Sequence, residues 1–102
     1  MLKENLKEQL DEIKNDPAIF LNFLKANYPM FHNSNFFFRD FQYGIKKYFE
    51  KKNIEVSYPE AEELTTQLLK NFEEKKFFIR ISSSAWKVNF PEFVTQVPGD
   101  PL

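Results

Sequence analysis

The chain has 102 residues, of which 42% are hydrophobic, which is enough for a single domain with one core. It contains no cysteine, which excludes disulfide scaffolds, thiolate metal sites and cysteine nucleophiles. The formal net charge of −1 gives the molecule no overall field that would attract nucleic acid or anionic lipid. No signal peptide or membrane span is predicted, since the longest uncharged run has 13 residues, and the expected location is cytoplasmic.

Two helices are predicted in the first quarter of the chain. Residues 1–14 carry aliphatic side chains at three- and four-residue steps, the pattern of an amphipathic surface helix with a narrow apolar stripe. Asp16 and Pro17 have the form of an N-cap and a first helical residue, so a second helix is predicted from Pro17 to about Asn27. Its residues are apolar on nearly every side, which is typical of a central helix. The stripe of the first helix consists of Leu2, Leu6, Leu10 and Ile13.

A third helix is predicted from about residue 36 to residue 52, with Phe37 among the apolar residues at helical spacing. One of the polar residues 33–35 is expected to cap its N-terminus. Asn53 suits the left-handed position that follows a helix. Residues 54–56 are predicted as a short extended segment and as a candidate third strand beside a later hairpin.

The clearest helix start lies at Ser57. Ser57 and Glu60 have the spacing of a capping box, in which each side chain accepts a hydrogen bond from the other residue's backbone N–H. Pro59 suits the first turn because its missing N–H is not needed there. Apolar residues then recur at helical spacing as far as Phe72, so a fourth helix is predicted from about Pro59.

From Phe77 the apolar period changes from helical to alternating, which predicts a two-stranded hairpin with its turn at Ser83 and Ser84. A four-residue loop over residues 82–85 is the alternative turn. Hydrophobicity predicts a register that gathers the apolar side chains on one face. The predicted pairs are Ile81 with Trp86, Ile79 with Val88, and Phe77 with Phe90.

The order of elements is helix, helix, helix, short extended segment, helix, hairpin. Without the first helix, this order over about residues 17–90 resembles the winged-helix superfamily, in which three helices precede a two-stranded wing. The resemblance rests on element order and implies an α+β, mainly helical fold with an N-terminal helix, three core helices and a C-terminal β-hairpin. The predicted division is an N-terminal helix at 1–15, a winged-helix-like domain at 16–94 and a flexible tail at 95–102.

No catalytic, metal or cofactor site is predicted. His32 is the sole histidine, and its neighbours in sequence offer no metal ligand or catalytic partner, so a structural role is expected. Glycine occurs only at 44 and 99, which excludes a glycine-rich phosphate loop. Serines 82–84 lack a general base and are interpreted as turn residues. The chain is therefore predicted to be non-catalytic, with no small-molecule substrate or membrane partner inferred.

The distribution of charge argues against the usual mode of DNA binding in this superfamily. In DNA-binding winged helices the third core helix lies in the major groove, whereas the matching residues 58–76 carry three lysines against five glutamates. The first turn of that helix is its most acidic part. Positive charge concentrates on residues 36–52, with five basic against two acidic side chains, and on the hairpin.

Two groups of residues are candidates for partner binding. Phe78 is expected to point outward beside Arg80, and an exposed aromatic residue next to charge is typical of a protein interface. Arg80 and Lys87 are expected to face each other across the hairpin, which indicates an anionic partner unless solvent screens the repulsion. The candidate partner or anion surface consists of Phe78, Arg80, Lys87, Lys46, Lys47 and Lys51.

The stripe of the first helix either packs on the domain, which we favour, or crosses to a second copy as a dimerisation arm. We predict a protein–protein interaction or assembly module that works as a homodimer or as part of a larger assembly. The alternative is a DNA-binding transcriptional regulator that uses the second core helix and the wing.

Overall fold

A computed structural model of the chain describes residues 2–28, 30 and 32–89. Within these residues, the fold is α+β and mainly helical, with four helices and a three-stranded antiparallel sheet. In chain order, the elements are α1 Glu4–Asn15, α2 Pro17–Asn27, β1 Asn35–Phe37, α3 Phe38–Lys51, α4 Tyr58–Glu74, β2 Phe78–Ser82 and β3 Ala85–Val88. No helix in this part of the chain is both long enough and apolar enough to cross a membrane.

The helix signals in the sequence correspond to observed helices. α2 has the predicted bounds, although the side chain of Asp16 makes no capping hydrogen bond. The capping box at α4 is present: the N–H of Glu60 donates to Ser57 Oγ at 3.2 Å, and the N–H of Ser57 donates to Glu60 Oε1 at 2.9 Å. Asn53 has the expected left-handed backbone after α3, with φ of 61°.

α1 packs against α2 and α4 through its aliphatic stripe. It runs alongside α4 in the same direction, because Lys3 lies 3.6 Å from the carboxylate of Glu60 at the start of α4, and Lys75 Nζ donates to the carbonyl of Lys14 at its end. The stripe is buried in the core of its own chain, so packing on the domain is the arrangement observed and the stripe offers no surface to a second copy. Its residues are Leu2, Leu6, Leu10 and Ile13.

The third strand is β1 and not residues 54–56, so that prediction is wrong. β3 lies in the centre of the sheet, with β1 on one side and β2 on the other. The N–H of Ile54 instead donates to the carbonyl of Phe49, which closes the end of α3. Residues 33–35 do not cap α3, whose N-cap is Phe37, because Asn35 begins β1. The register of β1 with β3 is Asn35 to Lys87, Phe36 to Trp86, and Phe37 to Ala85.

The hairpin is present, but most of its register differs by one residue from the prediction. An irregularity of the ladder lies between Arg80 and Ser82, so that Ile81 is an extra residue in β2, as in a β-bulge. The pair beyond it, Ser82 with Ala85, has the predicted offset, and the pairs before it are shifted by one. Those pairs are Phe78 with Val88, Ile79 with Lys87, and Arg80 with Trp86.

Because of this shift, the side chains of β2 point to the opposite faces of the sheet from those predicted. Phe78 is 2% exposed, whereas Ile79 and Ile81 are 48% and 55% exposed, so the expected outward position of Phe78 and core positions of the two isoleucines are wrong. The aromatic rings of the core explain this choice: the ring of Phe78 lies 5.8 to 6.1 Å from three others, which are Phe36, Phe41 and Phe72. Such a pocket is filled better by phenylalanine than by isoleucine.

Two predictions fall at the C-terminal end of the described chain. The pairing of Phe77 with Phe90 involves a residue outside the described range, and the carbonyl of Phe77 accepts a hydrogen bond from the N–H of Asn89 at 2.7 Å. The predicted tail at 95–102 also lies outside the described residues.

Candidate interaction surface on the sheet

The two faces of the sheet have different environments. The apolar side chains of one face are packed on the helices and are at most 3% exposed; they are Phe36, Phe78, Trp86 and Val88. Arg80, which is opposite Trp86 on the same face, is exposed. The other face, here called the outer face, alternates with it along each strand. Its members in the central row, Asn35, Lys87 and Ile79, are directly opposite one another on the three strands and are all exposed.

Three large apolar side chains on the outer side of the sheet are about half exposed, and we call them the outer patch. They are Phe37 at 50%, Ile79 at 48% and Ile81 at 55%. Phe37 belongs to β1 and the isoleucines to β2, so the patch lies on both sides of β3. Between them β3 contributes Ala85, which is 9% exposed although it shares the outer face with Phe37. Because alanine is smaller than phenylalanine and isoleucine, the surface of the patch is lower at Ala85 than at its neighbours.

The outer patch differs from the other exposed apolar residues of the described chain. Those are Ile19, Tyr43 and Tyr58, which lie on three different helices. Single exposed apolar residues are normal on a protein surface, whereas a cluster on one face is typical of a binding site. The outer patch is therefore the candidate functional site.

Arg80 lies on the same face of the sheet as Trp86 and not on the outer face. Its Nη2 atom lies 2.9 Å from Glu73 Oε1, its guanidinium lies 4.8 Å from the ring of Trp86, and its Nη1 atom donates to the carbonyl of Ser83 at 3.3 Å. The indole N–H of Trp86 donates to the same carboxylate oxygen. Since Arg80 is opposite Trp86 and Lys87 is opposite Ile79, the expectation that Arg80 and Lys87 face each other is wrong.

The lysines predicted for an anion surface differ in the contacts that their ammonium groups make. Lys46 Nζ donates to the carbonyl of Val56 at 2.6 Å and lies 4.4 Å from the ring centroid of Tyr58. Lys51 lies 5.4 Å from the ring centroid of Phe23 on α2. Lys47 and Lys87 are exposed. The predicted site residues are thus distributed over the core, α3 and the sheet, and the structure does not gather them into one site.

α4 is flanked by α1. A half-open cleft of about 420 Å³ lies between them, lined by both acidic and basic side chains, among them Lys7, Asp11, Lys14 and Glu63. The hydrogen bond from the backbone N–H of Ser57 is the main reason that the pKa of Glu60 lies below its usual value. The first turn of α4 is therefore negatively charged at neutral pH.

Other polar groups of the described residues include a histidine nitrogen, the carboxylates and a tyrosine hydroxyl. His32 Nδ1 is buried without a hydrogen-bond partner among the described residues. No three histidine, aspartate or glutamate side chains in the described ranges lie close enough together to hold a metal ion. Burial and the nearby carboxylate of Asp40 raise the pKa of Tyr28, which keeps its hydroxyl protonated at neutral pH.

Comparisons with protein-family models, with curated proteins and with solved structures found no match. The outer patch is therefore identified only from the exposure and positions of its residues. Sequence reasoning missed the outer patch because it assigned Ile79 and Ile81 to the core and Phe37 to the third helix. One signal was present: three consecutive phenylalanines at 36–38 are atypical of a helical start and are compatible with a strand that leads into α3.

Proposed function

We propose that the protein is a non-catalytic protein–protein interaction or assembly module with a winged-helix-like fold, and that it binds its partner through the outer patch. The fold assignment is supported by the order of the elements, in which α2, α3 and α4 precede the β2–β3 hairpin.

The observation that carries the proposal is the half-exposed state of Phe37, Ile79 and Ile81 on a sheet whose opposite face packs its apolar side chains into the core. Complete burial of a large aliphatic or aromatic side chain contributes about 1.5 to 3 kcal/mol, so covering the exposed half of each contributes about 1 kcal/mol. Lys87 and Asn35 lie beside the patch and provide a polar rim, as protein interfaces have. A protein partner would cover apolar surface and pair with this rim.

The experiment is a capture assay with the tagged chain and a lysate of the source organism. The double variant Phe37→Asp with Ile81→Asp places two charges in the patch, and Tyr43→Asp is the matched control because Tyr43 is similarly exposed on α3. We expect the same partner to be retained by the unmodified chain and by Tyr43→Asp and to be lost from the double variant. Equal capture by all three folded proteins, judged by circular dichroism, would refute the proposal.

A DNA-binding regulator is the second candidate. It is supported by the exposed Arg39 and Lys47 on α3, because basic side chains neutralise the phosphates of duplex DNA. It is opposed by the acidic first turn of α4, by α1 along the flank of that helix, and by the pairing of Arg80 with Glu73.

A mobility-shift titration on random duplex DNA at low salt tests this candidate. If it is right, affinity falls steeply as salt rises, and the pair Arg39→Glu with Lys47→Glu removes most of it. Binding that this pair leaves unchanged would exclude α3 as the DNA contact.

A further inference from the structure

β2 is an edge strand whose far side is open. Among the described residues, β3 is the only strand paired with it. A groove of about 340 Å³ adjoins β2, and it is lined by Glu73, Lys76, Phe78, Ile79, Arg80 and Asn89. An uncovered edge strand is a template for pairing with another chain.

The ladder determines which backbone groups of β2 face away from β3. The N–H of Asn89 donates to the carbonyl of Phe77, and hydrogen-bonded pairs recur at every second residue of an antiparallel ladder, so the backbone of Ile79 faces β3. The N–H and C=O groups of Phe78 and Arg80 therefore point away from β3, toward the open side of the sheet. None of the backbone hydrogen bonds that the described residues form outside helices and ladders uses them.

The side chains of β2 do not protect this edge on the outer face. Natural edge strands commonly discourage pairing with an outward lysine, a proline, an inward-pointing charge or a bulge. Here the outward residues are Ile79 and Ile81, and the one charged residue of β2, Arg80, is bound to Glu73 on the opposite side of the sheet. The bulge at Ile81 limits the regular part of the edge to the residues before it.

We propose that β2 pairs antiparallel with β2 of a second copy of this chain, and that a twofold axis passes beside Ile79. This dimer rests on the proposed function, because it identifies the protein partner that contacts β2 as a second copy of the chain. Phe78 then exchanges both backbone hydrogen bonds with the partner's Arg80. Ile79 lies opposite Ile79 of the partner subunit, in a pair without hydrogen bonds, where side chains approach most closely.

The charges favour this register over the neighbouring one. A register centred on Arg80 would place two arginines directly opposite each other, and like charges so placed are destabilising. In the proposed register each Arg80 lies opposite phenylalanine and keeps its own Glu73, so two positive and two negative charges gather at the inner rim and sum to zero. On the outer face, the side chains beside the twofold axis are the two copies of Ile79. The outer patches of the two copies therefore adjoin across the axis.

The absence of native cysteine allows a direct test by cross-linking of the full chain. Cα atoms of a non-hydrogen-bonded antiparallel pair are about 4.5 Å apart, which is within the range of a disulfide. We expect Ile79→Cys to form a covalent dimer rapidly in a glutathione redox buffer. Lys87→Cys is the matched control, since it is exposed on the same face, but three strand spacings of about 4.8 Å would separate it from its copy.

Sedimentation equilibrium gives an independent readout. We expect the unmodified chain to show a concentration-dependent monomer–dimer equilibrium, Ile79→Lys to be monomeric because two lysines would meet at the axis, and Phe37→Asp, on the other edge strand, to dimerise normally. A chain that stays monomeric and two cysteine variants that cross-link equally slowly would overturn the dimer. That result would leave the proposed function intact, because the capture assay fails only if changes at Phe37 and Ile81 have no effect.

Discussion

The inner and outer faces of the sheet differ in how far their apolar side chains are buried. On the inner face, Phe78 is in ring contact with Phe36, Phe41 and Phe72 and is almost inaccessible to solvent. On the outer face, the adjacent Ile79 is half exposed and borders an open groove. Neighbours on a strand point to opposite sides, so Phe78 and Ile79 are adjacent in sequence but one is in the core and the other is half exposed. Substitutions on the two faces should therefore affect different measurements.

The largest expected effect on stability is at Phe78. Phe78→Ala removes a ring from the aromatic cluster and should lower the free energy of unfolding by about 3 to 5 kcal/mol. Ile79→Ala, the neighbouring control, removes a half-exposed side chain and should cost about 1 kcal/mol or less. Urea denaturation followed by circular dichroism measures both. Similar losses at the two positions would mean that the faces are not distinct.

A smaller effect is expected at Glu73, which joins the hairpin to the end of α4. Its carboxylate accepts hydrogen bonds from Trp86 Nε1 and from Arg80, so Glu73→Ala leaves the part-buried indole N–H without its acceptor. We expect a loss of about 1 to 3 kcal/mol in the same denaturation assay. The control is Glu74→Ala, because Glu74 is the next residue and is exposed. If both variants unfold at the same urea concentration, Glu73 does not hold the hairpin in place.

The smallest effect on stability is expected at the outer patch itself. Phe37→Ser and Ile81→Ser change half-exposed side chains and should each lower the free energy of unfolding by about 1 kcal/mol or less. The same variants should lose partner capture if the outer patch is the binding surface. A large loss of stability in either variant would show instead that the patch helps to hold the sheet together.

The helices could be predicted from the sequence because their signals are local. The capping box of Ser57 and Glu60 and the apolar spacing up to Phe72 lie within one segment, and all of them indicate α4. The stripe of α1 predicted its buried face for the same reason. Local signals of this kind need no knowledge of the rest of the chain.

The sheet was predicted less well because its signals depend on distant residues. Apolar side chains occur at both parities of β2, so alternation alone does not decide whether Phe78 or Ile79 points inward. The decision is made by a pocket that β1, α3 and α4 build from residues far apart in the sequence. β1 has three residues and pairs with β3, which lies about fifty positions later, so neither the strand nor the outer patch had a local signature.

The bulge at Ile81 also determines where the hairpin tolerates a change of length. Deleting Ile81 would join the pairs on its two sides, Arg80 with Trp86 and Ser82 with Ala85, into one regular ladder. Deleting Ile79 instead would move Phe78 to the opposite parity and expose its ring, since every residue before the gap would change faces. The extra residue therefore marks the one position in β2 at which the strand can shorten without turning its core residues to solvent.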